Sequence, residues 1–329
     1  MKKTLFFLVM AVLVFMALSS CTKKDTPTTP AATNTPNATQ TAVAGLSYNS
    51  LVSVPGGTFT QTDGSESFDH TISTFKMGQY EVTYELWYTV YQWAILPAQG
   101  YTFANAGREG NDGTIGDAPT AAKYEPVTTI NWRDIIVWCN AYSQMTGLTP
   151  VYCSDSGFTT PIKNSTDGAY GSSINTTPGS FDNPYVNWSA TGYRLPTEGE
   201  WQYAASYIGT PYNYASGDTA PYDTSSTIGN YCWYYTNSGN VTHNVGGKTA
   251  NALGIYDMSG NVWEWCWDWY GSYPTAISDY YRGPASGFFR MIRGGGYSNN
   301  ACYLQVGYRN GDSPYRENSN IGFRFARTN

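Results

Sequence analysis

Histidine is nearly absent from this chain of 329 residues: His70 and His243 are the only two. A metal or catalytic centre that needs several imidazoles cannot be built within one molecule. Charge is scarce as well, at 13% of residues, and the formal net charge is −6. That balance argues against nucleic acid or an anionic membrane surface as a partner. No Cys-x-x-Cys pair offers a zinc site, and no segment repeats at a fixed period. What the chain holds instead is 34 Gly, 29 Tyr and aromatics at 16%. Such a composition suits a loop-rich domain with an aromatic core better than a helical bundle.

The amino-terminal end reads as an address. Met1-Lys2-Lys3 is a short cationic start, and the apolar run from Leu5 to Leu18 is too short for a comfortable membrane span. Leu18-Ser19-Ser20-Cys21 sets small residues directly against a cysteine and resembles the lipobox of bacterial lipoproteins. The resemblance implies a signal peptide over residues 1–20, lipid on Cys21 and anchoring at the bacterial cell envelope. The outer membrane, surface-exposed, is the expected place. Residues 22–46 are almost only Thr, Pro, Ala, Asn and Lys. They cannot bury enough apolar surface to order themselves, so 21–46 reads as a flexible tether carrying the lipid. Residues 47–329 are then one elaborate domain. Its cysteines, Cys139, Cys153, Cys232, Cys266 and Cys302, are odd in number, so at least one is unpaired in a monomer. Export permits disulfides without saying which pairs form.

Three helix starts are legible. Thr83 precedes a stretch in which Leu86, Val90 and Trp93 fall near one helical face, and Asn131 is an N-cap ahead of an amphipathic helix ending near Gly147. Thr197-Glu198-Gly199-Glu200 is a capping box. Leu51 to Phe59 is strand-like, and Ile321, Phe323 and Phe325 alternate as a closing strand should. Between Arg293-Gly294-Gly295-Gly296 and Ile321-Gly322-Phe323-Arg324 the chain changes character. Its interior is dominated by Asn, Tyr, Ser, Gly and Asp and has neither apolar period. Tyrosine gives large amphipathic contacts at low entropy cost, and Ser, Gly and Asn give adaptable hydrogen bonds. A fixed frame around an open, Tyr-rich patch points to recognition more than chemistry.

Ordered landmarks carry a family resemblance across nearly the whole domain. Val54-Pro55-Gly56-Gly57-Thr58-Phe59, Tyr80-Glu81-Val82-Thr83 and Asn131-Trp132-Arg133-Asp134 come first. Arg194-Leu195-Pro196-Thr197-Glu198-Gly199-Glu200-Trp201 and the run from Gly254 to Trp265 follow, and the RGGG…IGFR frame closes the series. The domain resembles the formylglycine-generating enzyme (sulfatase-modifying factor) family. That implies an α+β, elaborated C-type-lectin-like fold with little regular secondary structure. Members that make formylglycine use two cysteines in the RGG-to-GFR segment to hold copper, a soft ion suited to paired thiolates. Here the segment has one cysteine, Cys302, and the first of the pair falls around Asn299. No copper is therefore expected, and Cys302 reads as a small buried filler. Two scattered histidines also cannot supply the three-His iron site of ergothioneine-type relatives. An enzyme is not expected.

Within the family, the frame and its interior resemble the variable proteins diversified by retroelements, the treponemal ones among them. In that group adenine-directed copying turns asparagine codons of a template into many residues, at the extreme carboxyl terminus. The resemblance implies a surface lipoprotein that binds a protein or other macromolecule, with a different ligand for each variant. Residues 293–324 form the expected variable segment. The expected anchors are Tyr297, Tyr303, Tyr308 and Tyr315. Ser298, Asn299, Gly311, Asp312, Ser313 and Asn318 are the expected adjustable contacts, and Arg293, Arg309, Arg316 and Arg324 the expected scaffold. The alternatives are a formylglycine-type oxidase with an altered copper site and a structural envelope lipoprotein with no specific ligand.

The family also binds calcium, at the motif found here in Asp257-Met258-Ser259-Gly260-Asn261-Val262-Trp263-Glu264. Calcium takes about six to eight hard oxygens from carboxylates and carbonyls. Carried over residue by residue, the ligands are the Asp257 and Glu264 side chains and the Gly260 and Val262 carbonyls, in a structural role. A second site near Asn230 and Tyr231 lacks its acidic partner, because Thr236 to Leu253 contains no Asp or Glu.

Overall fold

Among the described residues a five-stranded sheet, a four-stranded sheet and three two-stranded ribbons pack with three α-helices around an aromatic core. The computed structural model describes residues 38–39, 48–166, 172–206, 215 and 228–329. The expected signal peptide, Cys21 and most of the tether lie outside these residues. Within the span read as tether, Ala38–Thr39 forms a short strand paired antiparallel to Leu51–Val54.

The first sheet is antiparallel, in the order Ala38–Thr39, Leu51–Val54, Phe75–Gly78, Ala326–Thr328, Tyr193–Arg194. The stretch Leu51 to Phe59 is broken at Pro55-Gly56 into two strands in different sheets. Gly57–Thr62 pairs with Ser67–Ile72 as a separate hairpin. Proline cannot donate to a ladder, which is why the strand ends there. The second sheet runs Asn310–Asp312, Arg290–Arg293, Trp263–Trp269, Ile321–Gly322, with only the last pair parallel. The expected closing strand is likewise two pieces. Ile321–Gly322 joins the second sheet and Ala326–Thr328 the first, with Phe323 and Phe325 fully buried between them.

All three helix starts are where the capping chemistry put them. Helix α1 is Tyr84–Ala94, with the Thr83 hydroxyl accepting the Leu86 N–H. Helices α2 (Trp132–Met145) and α3 (Glu198–Ala205) both open with reciprocal capping boxes, Asn131–Asp134 and Thr197–Glu200. These boxes satisfy backbone donors that would otherwise be orphaned in a buried helix end. Trp87 of α1 stacks on Trp138 of α2 at 5.8 Å and 5°, and Phe323 stands edge-on to both. Tyr142 stacks on Tyr193 at 4.0 Å, with Phe325 edge-on to each. Such pairs add about 0.5–1.5 kcal/mol each beyond their buried area.

Strand Trp263–Trp269 is buried along its whole length. Alternation sends its residues to opposite faces. Trp263, Trp265 and Trp267 join the core of α1 and α2, while Cys266 joins a second core with Trp201 of α3. On that second face Glu264 and Asp268 flank Cys266, so two carboxylates enter the interior and must be answered there. Cys139, Cys153 and Cys266 are buried thiols outside any disulfide.

Candidate functional site: an aromatic surface on the carboxyl-terminal segment

Strand Arg290–Arg293 delivers the chain to a turn at Gly294 (φ +90°) and Gly295 (φ +71°). A Cβ on Gly295 would sit 2.8 Å from Leu304 Cδ1 and 2.9 Å from the Tyr303 carbonyl oxygen. Only glycine tolerates both the left-handed backbone and that approach. Beyond it the segment makes a 3-10 turn at Ala301–Leu304, then the edge strand Asn310–Asp312, then Ile321–Gly322.

Three arginines hold this path. Arg293, fully buried, donates to the Tyr308 carbonyl and, at 2.8 Å, to the Val306 carbonyl. Arg309 grips Glu198 of α3 with two bonds of 2.6 and 2.9 Å and lies 4.0 Å over the Tyr273 ring. Arg324 grips Glu264 with two bonds of 2.6 Å. Burial opposes the charge on Arg309 and Arg324, yet Glu198 and Glu264 outweigh it and raise both pKa values. Arg316 differs: its side chain is 68% exposed, and it reaches Asp312 only at 3.9 Å.

The expected ligand contacts separate into those the fold presents and those it keeps. Tyr303 and Tyr308 are half-buried, with rings 4.9 Å apart at 73°, and Tyr308 packs 6.1 Å from Trp263. Tyr315 is half-buried and faces the Arg133 guanidinium at 5.6 Å. Asn318 is exposed, while its carbonyl accepts the Thr129 N–H. Ser298, Gly311 and Asp312 are half-buried. Burial pushes the Asp312 carboxyl upward, while the Ser313 N–H and Arg316 pull the other way.

Two expectations need correction. Tyr297 is 6% exposed and belongs to the core. Its N–H donates to the Asn261 carbonyl at 2.7 Å and its carbonyl accepts the Ser238 hydroxyl at 2.8 Å, so both sides of the residue are tied to loops beneath. Ser313, 7% exposed, is buried as well, its N–H donating to the Asp312 carboxylate at 2.7 Å. Asn299 is a turn residue as much as a contact, since its side chain accepts the Gly296 N–H and its carbonyl the Tyr235 N–H.

The structure adds residues that lie outside the segment. Tyr270, Phe288 and Phe289 are 44%, 80% and 45% exposed. The Tyr270 N–H donates to the Phe289 carbonyl at 2.8 Å. A Cβ on Gly311 would meet the Cβ atoms of Phe289 and Tyr270 at 3.0 and 3.1 Å, so these residues flank the edge strand. The Phe-Phe pair was a visible signal in the sequence; its pairing with Tyr270 and Gly311 was not.

Beneath the segment lies the motif expected to hold calcium. Both Glu264 oxygens are taken by Arg324, and one also accepts the Trp201 indole N–H at 2.8 Å. Asp257 accepts the Gly246 N–H at 2.6 Å, and Glu81, not foreseen, accepts the Val262 N–H and the Asn261 amide. Burial pushes the Asp257 carboxyl up to about 6, and burial together with Asp257 and Glu264 raises Glu81 well above the usual range. Among the described residues no three His, Cys, Asp or Glu side chains are grouped so as to hold a metal. The expected calcium set has only two carboxylates, Asp257 and Glu264, with the Gly260 and Val262 carbonyls; Arg324 and Trp201 take three of the acceptor positions on Glu264 and leave one open.

The mixed sheets, the three capped helices and the long pinned loops define an α+β domain of the elaborated C-type-lectin-like type. The chain belongs to the sulfatase-modifying factor enzyme 1-like domain family, whose model matches residues 36–329. It is 33% identical to the chaperone protein LppX of Paenibacillus barcinonensis over 298 residues, 81% of this chain and 89% of that one. The solved structure of Treponema denticola variable protein 1 superimposes with a TM-score of 0.67 at 29% identity, covering 90% of this chain and 100% of that one. The formylglycine-generating enzyme of Streptomyces coelicolor is 34% identical over 156 residues, 43% of this chain and 48% of the enzyme. The family thus includes enzymes as well as a protein described as variable.

Proposed function

We propose that this protein is a non-enzymatic ligand-binding lipoprotein of the bacterial envelope, tethered through Cys21, that recognises a macromolecule with its carboxyl-terminal surface. The observation that carries the reading is the division of labour within residues 293–324. Arg293 and Arg324 are buried and bonded and Arg309 is half-buried with its guanidinium bonded to Glu198, while Tyr303, Tyr308 and Tyr315 are half-open. A surface ordered before binding loses little entropy on contact. The likeness to Treponema denticola variable protein 1 supports the further reading that this segment is diversified by a retroelement.

The enzymatic alternative needs a second thiolate in the segment, where Cys302 is the only cysteine. Its test is copper(I) titration together with turnover of a cysteine-containing sulfatase peptide. Neither stoichiometric copper nor aldehyde product is expected, and either would restore the oxidase reading. Diversification is tested at the gene's 3′ end. A near-copy differing mainly at adenine positions supports it, and differences falling elsewhere sink it.

One observation favours a second reading. The exposed Tyr270, Phe288 and Phe289 form the kind of aromatic patch that grips unfolded apolar segments, and a 33% identical relative carries the name of chaperone. Suppression of aggregation of a heat-denatured client, lost on replacing Phe288 and Phe289 with serine, would support it.

A further inference from the structure

We propose that a cleft away from the carboxyl-terminal segment binds a small oxyanion, the carboxylate or phosphate group of a small molecule, with Arg282 as its principal contact and Arg194 as its second. The site is separate from the proposed recognition surface and does not depend on it.

The cleft lies where the end of the hairpin strand Ser67–Ile72, Trp188 and the start of α3 meet the loop 280–282, and it holds about 110 Å³ of free space, partly open to solvent. Among the described residues none of 293–324 lines it. A closed cavity of about 150 Å³ holds benzene, so this one suits a group of a few non-hydrogen atoms. Its walls are fixed by pairing. The Ser278 and Tyr280 N–H groups donate to the Asp69 and Thr71 carbonyls at 3.2 and 3.1 Å, which lays the loop along the hairpin. Tyr280 takes a φ of +56°, rare for a bulky side chain. Trp188 is held through its carbonyl, which accepts the Thr328 hydroxyl at 3.0 Å.

Two guanidiniums converge on that indole. Arg282 lies 3.9 Å over the Trp188 ring and Arg194 lies 5.3 Å from it. Arg194 is buried and its charge is answered, since Nη1 and Nη2 grip Glu200 at 2.6 and 2.7 Å. Its Nε–H, however, has no partner, and a buried donor left without one is costly. Arg282 is exposed, and among the described residues it makes no ion pair and no hydrogen bond. Stacking uses the face of a guanidinium and leaves its in-plane fork of N–H donors free for a carboxylate or phosphate.

The electrostatics of the cleft favour an anion. Burial lowers the Arg282 pKa, Glu200 raises it, and Arg194, a like charge, lowers it again. A bound negative group would relieve that repulsion. His70, which also lines the cleft, brings no positive charge, because burial takes its pKa down to about 4. The chain's net charge of −6 gives no general attraction for anions, so binding here would be the work of these two arginines.

The test is calorimetric titration of the purified full chain in a chloride buffer, with inorganic phosphate and acetate as separate probes. Saturable binding of one or both is expected, with a Kd of about 1 mM or tighter. Phosphate alone would assign a phosphate-bearing ligand, and acetate alone a carboxylate. Arg282→Gln, at an exposed position, should keep the parent melting temperature and weaken binding roughly tenfold or more. Arg316→Gln, an exposed arginine outside the cleft, should bind as the parent does. With the better probe bound, hydrogen exchange should slow in 70–75 and 280–282 but not in 293–324. No saturable binding of either probe, full binding by Arg282→Gln, an equal loss in both variants, or protection confined to 293–324 would each overturn the proposal.

Discussion

Arg324 and Arg316 lie eight positions apart in the same segment, yet the molecule uses them in opposite ways. Arg324 and its partner Glu264 have no exposed side-chain surface and share two bonds of 2.6 Å. Arg316, 68% exposed, meets Asp312 at 3.9 Å. Chemistry is the same in both; depth decides what it does. A buried pair cannot lose one member without leaving a charge stranded, whereas an exposed pair is replaced by water and salt. The segment is thus built from a frame that must not change and a surface that can.

Breaking the frame should give the largest effect. Glu264→Gln leaves Arg324 buried without its carboxylate and should cost about 3–5 kcal/mol in urea unfolding, a large share of the stability of an ordinary domain. Breaking the surface should cost less stability than breaking the frame, because Tyr303 and Tyr308 are half-buried against the core, and should cost binding as well. Tyr303→Ala with Tyr308→Ala should lower affinity for a cognate ligand by roughly 2 kcal/mol or more, about 30-fold, read by calorimetry. An equal loss of fold stability would mean these rings are core.

Between frame and surface lies Asp268, whose carboxylate accepts the Glu198 N–H at 2.6 Å. Burial, and then the charge of Glu198, pushes its pKa up to about 8. A folded-state value above the unfolded one, near 4, means that the folded protein binds more protons between them. Asp268 therefore makes stability fall as pH rises from about 4 to 8. Asp268→Asn should flatten that slope, seen as a smaller difference between urea midpoints at pH 5 and pH 8.5. The smallest effect is expected at Arg316→Ala, within about 0.5 kcal/mol in the same assay.

Much of this was legible in the chain. The three helices announced themselves because capping is local: Thr83, Asn131 and Thr197 act on amides three residues away. The fold class followed from ordered motifs. Long-range choices were not legible. Pro55 splits one strand, and Ile321 and Ala326 enter different sheets, because each partner strand is distant in sequence. Tyr297 has the same chemistry as Tyr303, and only the fold shows that one is buried and the other half-buried. Glu264 was legible as a carboxylate of the calcium motif but not as the partner of Arg324, 60 residues on. Tyr270 and Phe289 joined the site through a backbone bond that no pattern displays.

The central claim is that a fixed frame presents a changeable surface. Sequencing the last codons of this gene across many isolates tests it most directly. Substitutions should collect at Tyr303, Tyr308, Asp312, Tyr315 and Asn318, while Arg293, Tyr297, Arg309 and Arg324 hold. Changes spread evenly over both groups, or a segment as constant as the rest of the domain, would contradict it.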